Sequence, residues 1–197
     1  MNSLQATAAV VEALEGLAIP YMLVGAFSSN AYAIPRTTND ADFVVNLASG
    51  DLRKIVDRLG TDFRLDPQMR FETITHSVRN VVTYLPTRFE IEFFRLTDDS
   101  HHQSRFARRV RKLIGDINRE AWIPTGEDVV IQKLRWGRRK DLDDAQNVLA
   151  VCWKRLDWDY IHLWTTAHGT LELLNQLCRE LPNLSSLDSE FDPSQSP

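Results

Sequence analysis

Cysteine is scarce in this chain of 197 residues, which has two, Cys152 and Cys178, in apolar segments with helical patterning. No cysteine and histidine grouping has the spacing of a zinc site. The pair His101-His102 lies in a polar stretch, and we interpret it as part of an exposed loop rather than as a metal ligand. Two isolated, buried thiols are typical of a protein in a reducing compartment, so we expect a cytoplasmic protein without disulfides.

Long apolar runs are also missing. No segment is long enough to cross a bilayer, and the N-terminus lacks the basic region of a signal peptide. We therefore expect no membrane partner. A hydrophobic share of 43% with 25% charged residues is that of a globular protein, and the length fits one domain or two small ones.

An excess of positive charge is absent as well, because the formal net charge is −4. This argues against an overall electrostatic attraction to nucleic acid but leaves a local basic groove open. The composition turns helical and basic after Thr97, and the basic cluster there fits a solvated helix face and a phosphate contact equally well. The cluster consists of Arg105, Arg108, Arg109, Arg111 and Lys112.

The most informative segment covers residues 21–46. It has the pattern of an apolar strand, a glycine at Gly25, a short helix, a basic turn rich in hydroxyl groups, and a second strand that opens with Asp40 and Asp42. Residues two apart on a strand point to the same face, so these carboxylates lie side by side and repel each other unless a cation lies between them. Mg²⁺ uses such pairs to hold phosphates, which predicts metal-dependent phosphoryl or nucleotidyl transfer.

The Asp-x-Asp spacing alone is weak evidence, and its context gives it weight. Gly25 leaves room for a phosphate at the start of the following helix, and Ser28 adds a hydroxyl donor in the first turn. The alternative is an ordinary strand-to-helix turn followed by a solvated strand. The same spacing recurs at Asp141/Asp143 and Asp157/Asp159.

A later strand, Phe89–Phe94, offers a third carboxylate. Its aromatic and aliphatic residues alternate with Glu90 and Glu92, which share the opposite face. If this strand lies beside the Asp-x-Asp strand, one glutamate can join the metal site. We expect residues 1–100 to form an α/β domain, residues 101–183 a helical domain, and residues 184–197 a disordered tail.

The order of these parts resembles the nucleotidyltransferase superfamily, and in particular its abortive-infection (AbiEii-like) branch. The similarity covers roughly residues 21–149. It rests on the strand–glycine–helix unit, on Arg-x-Thr-x-Asp-x-Asp, on the later acidic strand, and on the helical half with its lysine and Arg-Lys-Asp segment. The resemblance implies an α+β fold: a small mixed sheet flanked by helices and followed by a C-terminal helical region.

The resemblance also implies roles for individual residues. The carboxylates that ligate two Mg²⁺ ions and catalyse the transfer would be Asp40, Asp42 and Glu92, with Glu90 the weaker choice. The residues that contact the nucleoside triphosphate would be Gly25, Ser28, Arg36, Thr38, Lys133, Arg139 and Asp141. Two positions depart from the family pattern: Ala26 stands where a second glycine or a serine is usual, and the third acid is a glutamate instead of an aspartate.

The implied reaction moves a nucleoside monophosphate from a triphosphate to a hydroxyl of RNA, protein or a small molecule. The branch further suggests a toxin–antitoxin or phage-defence role with a protein partner from a neighbouring gene. Two alternatives stay open. One is a catalytically silent module of the same fold that acts as a binding or antitoxin partner, and the other is a metal-dependent phosphohydrolase.

Overall fold

The computed structural model describes residues 1–73 and 77–181. The predicted tail and the last residues of a strand predicted over Phe71–Thr75 lie outside this part of the chain. Strands fall at β1 (Tyr21–Val24), β2 (Asp40–Val45), β3 (Phe63–Leu65), β4 (Arg70–Glu72), β5 (Ser77–Tyr84), β6 (Phe89–Arg95), β7 (Val110–Ile114) and β8 (Arg119–Ile123). Helices fall at α1 (Ser3–Gly16), α2 (Gly25–Asn30), α3 (Asp51–Leu59), α4 (Ser100–Ala107), α5 (Gly126–Trp136), α6 (Arg139–Cys152), α7 (Trp158–Ala167) and α8 (Leu171–Glu180).

The main sheet is mixed and has the strand order β1-β2-β6-β5-β3, with β4 also paired to β5. Only β2 and β6 run parallel; the other described pairs are antiparallel. Helices flank this sheet, and a helical region follows it. The predicted fold class is therefore confirmed.

Alternation along β2 separates the core from the site. Ala41 and Phe43 face the main hydrophobic core, where they pack with Leu23 and Ile91 of the neighbouring strands. The residues between them, Asp40 and Asp42, emerge on the opposite face because successive side chains on a strand point to opposite sides. The buried face fixes the register of the strand, and the register in turn fixes where the carboxylates lie.

The helical region has a core of its own, built on α5, α6, α7 and α8 around Val130, Leu134 and Leu149. The main core extends to Ile123 on β8, beyond the predicted domain boundary at residue 100. Cys152 is buried and Cys178 is half-buried, and both are free thiols. In the described part of the chain, no helix has the length and apolar character needed to span a membrane.

Two predictions for the segment after Thr97 were wrong. His101 and His102 are buried on α4, not exposed in a loop. The basic cluster does not form one helical face, because the chain leaves the helix at Ala107 and Val110–Ile114 pairs with β8 as a hairpin. The turn of this hairpin contains Gly115 and a left-handed Asn118 with φ of 47°, residues that favour a hairpin over a continued helix.

Candidate active site

The parallel pairing of β2 and β6 brings the predicted carboxylates together. Asp40 lies opposite Glu90 and Asp42 lies opposite Glu92 in the register of the two strands. Asp40, Asp42 and Glu92 line a cavity of about 230 Å³. Glu90 instead lies near Arg70, 3.4 Å from its guanidinium. Of the two glutamates on β6, Glu92 belongs to the cavity lining.

Gly25 is required where it stands for two reasons. Its φ is +64°. This left-handed conformation is unfavourable for any residue that has a Cβ atom. A Cβ at this position would lie 2.2 Å from Oδ2 of Asp42. The bare glycine therefore lets the carboxylate of Asp42 pack directly against the turn between β1 and α2.

The carboxylates of this cluster are electrostatically strained without a cation. Burial, followed by the negative charges of Asp40 and Glu92, raises the pKa of Asp42 to about 7. Burial is also the main cause that raises the pKa of Glu92, against the lowering effect of Arg79. Asp40 accepts a hydrogen bond of 2.7 Å from the Thr38 hydroxyl. A bound cation would relieve the repulsion, since an opposite charge favours the ionised form.

The repulsion among these carboxylates leads to a prediction about the stability of the fold. An acid whose folded pKa is raised loses stability as the pH rises towards that pKa. Between pH 5 and pH 8 in metal-free buffer, Asp42→Asn should gain about 1–2 kcal/mol of unfolding free energy relative to wild type. Denaturant unfolding of both proteins at the two pH values measures this difference. Saturating Mg²⁺ should reduce the difference at pH 8, and a difference that does not change with pH would contradict the raised pKa.

Arg79 is a residue of the site that sequence reasoning missed. Its Nε lies 3.3 Å from Oε2 of Glu92, and its guanidinium carbon lies 5.6 Å from the centre of the Phe94 ring. Arg79 on β5 faces Phe94 in the strand register, two positions from Glu92, a diagonal distance that a long side chain can reach. The available signal was a basic residue on the strand predicted next to the acidic one.

An ion-pair network links the strand side of the cavity to the helical region. Lys133 on α5 donates to Asp141 at 3.0 Å and to Asp144 at 2.7 Å. Arg36 binds both carboxylate oxygens of Asp144, at 2.7 and 2.9 Å, and Arg138 pairs with Asp141. Burial alone would raise the pKa of Asp144, but the hydrogen bonds from Arg36 and Lys133 outweigh it and lower the pKa. The network positions Arg36 and Lys133 at the cavity wall.

Breaking this network should destabilise the protein. Asp144→Asn leaves Lys133 buried with a weaker partner and removes one arm of the pair with Arg36, so we expect a loss of about 2–4 kcal/mol. The neighbouring exposed Asp143 provides a matched control, and Asp143→Asn should change stability by less than about 0.5 kcal/mol. Chemical denaturation of both variants measures the effect. Equal stability of the two would mean that the network does not join the two regions energetically.

The remaining predicted contact residues take different positions. The Ser28 hydroxyl donates to the Gly25 carbonyl at 2.9 Å, and this side chain is buried. Thr38 and Asp141 line the cavity. Arg139 is exposed and, among the described residues, lies outside the cavity lining, whereas its neighbours Arg138 and Lys140 belong to it.

Within the described residues, no group of three or more His, Cys, Asp or Glu side chains is arranged to hold a metal ion. Glu92 lies in an ion pair with Arg79, at 3.3 Å from its Nε. Asp40 and Asp42 do fit a hard divalent cation, since their oxygens are the preferred donors and the repulsion at Asp42 calls for positive charge.

A family model described as "Nucleotidyltransferase of unknown function (DUF6036)" matches residues 15–180 of this chain. No curated protein matches it. Solved structures share the fold at low sequence identity. The solution structure of the antibiotic-resistance factor ANT(2'')-Ia is 12% identical with a TM-score of 0.60, over 90% of this chain and 96% of the other.

A crystal structure of ANT(2'')-Ia in complex with adenylyl-2''-tobramycin is 11% identical, with a TM-score of 0.57 over 86% of this chain and 98% of the other. An antigenic nucleotidyltransferase-like protein from Paracoccidioides brasiliensis is 20% identical, with a TM-score of 0.56 over 92% of this chain and 90% of the other. At these sequence identities, the similarity shows a shared fold alone.

Proposed function

The chain belongs to this family of nucleotidyltransferases, and from that premise we propose that it moves a nucleoside monophosphate from a nucleoside triphosphate to an acceptor hydroxyl in a Mg²⁺-dependent reaction. The acceptor oxygen forms a bond to the α-phosphorus, the bridge to the β-phosphate breaks, and pyrophosphate leaves. The hydroxyl proton passes to a nearby carboxylate or to water. The observation that carries the proposal is that the paired strands β2 and β6 bring Asp40, Asp42 and Glu92 into the lining of one cavity.

Asp40 and Asp42 would hold the Mg²⁺ ions, which would neutralise the triphosphate and activate the acceptor hydroxyl when bound. Glu92 would become the third ligand once its carboxylate turns away from Arg79. Its raised pKa also suits a group that accepts the acceptor proton. The two-ion arrangement rests on the carboxylate geometry and on the resemblance.

The triphosphate would lie along the side of the cavity formed by Gly25 and Lys133. Lys133 has three donors, and two of them are used by Asp141 and Asp144, which leaves one for a phosphate oxygen. Arg36 and Thr38 would orient the strand that carries the aspartates, since Thr38 already bonds Asp40. The contact predicted for Arg139 would instead be made by Arg138 and Lys140, which line the cavity.

The abortive-infection branch and a toxin–antitoxin or phage-defence role remain our proposals, as does a protein partner from a neighbouring gene. A cytoplasmic location is proposed on the two free thiols. The proposed triphosphate site is compatible with RNA, a protein or a small molecule as the acceptor. The similar structure of ANT(2'')-Ia is a complex with adenylyl-2''-tobramycin, which is a property of that protein.

A silent module of the same fold is the second candidate. Two observations favour it: Ala26 replaces a second glycine or a serine after Gly25, and Arg79 engages Glu92 at 3.3 Å. In that case the cavity would bind a nucleotide or nothing, and the function would lie in a protein partner.

Calorimetric titration of each of the four nucleoside triphosphates, with and without Mg²⁺, separates the two candidates. The proposal expects Mg²⁺-dependent binding to wild type and its loss in the double variant Asp40→Asn/Asp42→Asn. Wild type that binds none of the four, with the folded state verified by circular dichroism, would favour the silent module.

A further inference from the structure

Arg105 on α4 is a buried cation without a partner. Only 5% of the residue is exposed, and it lines the same cavity as the carboxylates. Among the described residues, Arg105 makes no hydrogen bond or ion pair, and its Nε is a buried donor without an acceptor. Burial lowers the pKa of Arg105 to about 10. The negative charges of Asp128 and Asp99 act on Arg105 without a hydrogen bond to it, and a buried guanidinium with unused donors is costly to the fold.

The nearby acids cannot serve as that partner because they are engaged elsewhere. Asp99 pairs with Arg135 at 3.1 Å and accepts the amide of His102 at 2.9 Å. Asp128 accepts from Tyr160 at 2.9 Å and from Thr125 at 2.9 Å. The carboxylates around α4 are therefore hydrogen-bonded to other donors, and the guanidinium of Arg105 remains open to a group that enters the cavity.

His102, which also lines the cavity, is neutral and does not supply an anion. Its Nε2 faces an Arg135 donor at 3.4 Å, and its Nδ1 lies 2.6 Å from the Thr97 hydroxyl. Because the Arg135 nitrogen can only donate, we assign the ring proton to Nδ1. Burial and then the charge of Arg105 lower the pKa of His102 to about 3.

Arg105 shares the cavity lining with aromatic side chains and with further cations. Trp136 and Phe94 form an aromatic wall, with ring centres 6.4 Å apart, and the cations Arg79 and Arg95 also line the cavity. The lining as a whole carries seven cationic side chains against four carboxylates, and so has an excess of positive charge. An acceptor with several amines would be repelled here, whereas an acidic one would be attracted.

We propose that Arg105 binds a phosphate or carboxylate group of a small acceptor molecule and so makes the protein selective for anionic acceptors. This inference rests on the proposed nucleotidyl transfer and names the acceptor class for that site. Arg105 is suited to the task because a guanidinium binds either group through two parallel hydrogen bonds. A small acceptor fits better than a polynucleotide, because the unpaired cation is enclosed and not part of an exposed basic row.

The triphosphate would use other cations. Lys133 and Lys140 act on the charge of Asp42, which places them beside the reacting carboxylates. The charges that act most strongly on Arg105 are those of Asp128, Arg135 and Asp99. The two lysines are not among those charges, so we assign the triphosphate and the acceptor to different cations of the cavity lining.

The test titrates inorganic phosphate, and separately succinate, into wild type saturated with Mg²⁺ and an α,β-methylene triphosphate analogue. We expect calorimetry to show anion binding that falls roughly tenfold or more in Arg105→Met, while the affinity for the analogue is unchanged. Comparing the two anions distinguishes a phosphate-bearing from a carboxylate-bearing acceptor. Arg53→Met, at an exposed position on α3, is the matched control and should bind as wild type does.

Thermal unfolding provides a second measurement of the role of Arg105. Arg105→Met removes a buried charge that has no hydrogen-bonded partner, so its melting temperature should equal or exceed that of wild type, and phosphate should raise the melting temperature of wild type only. Arg105→Lys keeps the charge without the paired donors and should retain part of the anion affinity.

Several results would overturn the proposal. One is anion binding that survives in Arg105→Met, and another is the absence of anion binding by wild type. A third is a loss of analogue affinity in Arg105→Met that parallels the loss of anion binding, which would assign Arg105 to the triphosphate. Binding of a short RNA with a free 3′ hydroxyl that depends on Arg105, without binding of either small anion, would assign the site to nucleic acid. If wild type does not bind the analogue, the proposed function fails, and the phosphate titration without analogue still tests Arg105.

Discussion

Replacing Asp42 with asparagine should lower Mg²⁺-dependent turnover of nucleoside triphosphate by roughly a thousandfold or more, the upper range for losing one preorganised electrostatic contact. The substitution keeps the shape of the side chain but removes the charge that would hold the cation between Asp40 and Glu92. Initial rates of pyrophosphate release, with a cell-derived pool of small acidic metabolites as acceptors, measure the loss.

A control for this substitution lies elsewhere in the chain. Asp159→Asn removes a carboxylate from another Asp-x-Asp segment, at an exposed position on α7, and should leave the rate unchanged. Asp42→Asn should remain folded and, at pH 8 without metal, should be at least as stable as wild type. A variant that is folded and retains the wild-type rate would remove Asp42 from the mechanism.

Gly25→Ala should lose both stability and activity, and Gly50→Ala should lose only stability. Both glycines have positive φ, +64° at Gly25 and +82° at Gly50, but a Cβ meets Asp42 at 2.2 Å in the first case and nothing within 4 Å in the second. Each alanine costs about 1 kcal/mol for its backbone conformation. Only at Gly25 must the carboxylate move, and a displacement of about 1 Å at a reacting centre can reduce the rate roughly a hundredfold.

The paired glycine variants separate backbone strain from the clash at the site. Denaturant unfolding measures the first, and Mg²⁺-dependent triphosphate binding together with pyrophosphate release measures the second. Equal activity of Gly25→Ala and Gly50→Ala would show that the contact between Gly25 and Asp42 does not matter for function.

The part of the site that follows strand periodicity could be predicted from sequence. Asp40 and Asp42 share a face because β2 buries Ala41 and Phe43 on the other, and Glu92 shares that face because Ile91 and Phe93 are buried in the same way. Local alternation is enough for this, together with the assumption that the two strands are neighbours.

The rest of the site depends on contacts between segments distant in sequence. Arg36 and Asp144 are 108 positions apart, and nothing in either segment indicates their bidentate pair. Arg105 belongs to a cluster whose sequence fits a solvated face and a phosphate contact equally well, because a basic stretch carries no signal of burial. The burial of His101 could not be predicted for a similar reason. Its ring lies 3.2 Å from the Asp128 carboxylate, and such a buried partner, which lies far along the chain, allows a polar residue to lie in the interior.

Transfer of label from a nucleoside triphosphate tests the central claim most directly. Wild type and Asp40→Asn/Asp42→Asn are incubated with Mg²⁺, the same acceptor pool, and triphosphate labelled at either the α- or the γ-phosphate. The account predicts an acceptor that carries the α-label, γ-label that appears in pyrophosphate, and neither product with the double variant. Release of γ-label as inorganic phosphate, or α-label transfer that survives in the double variant, would contradict it.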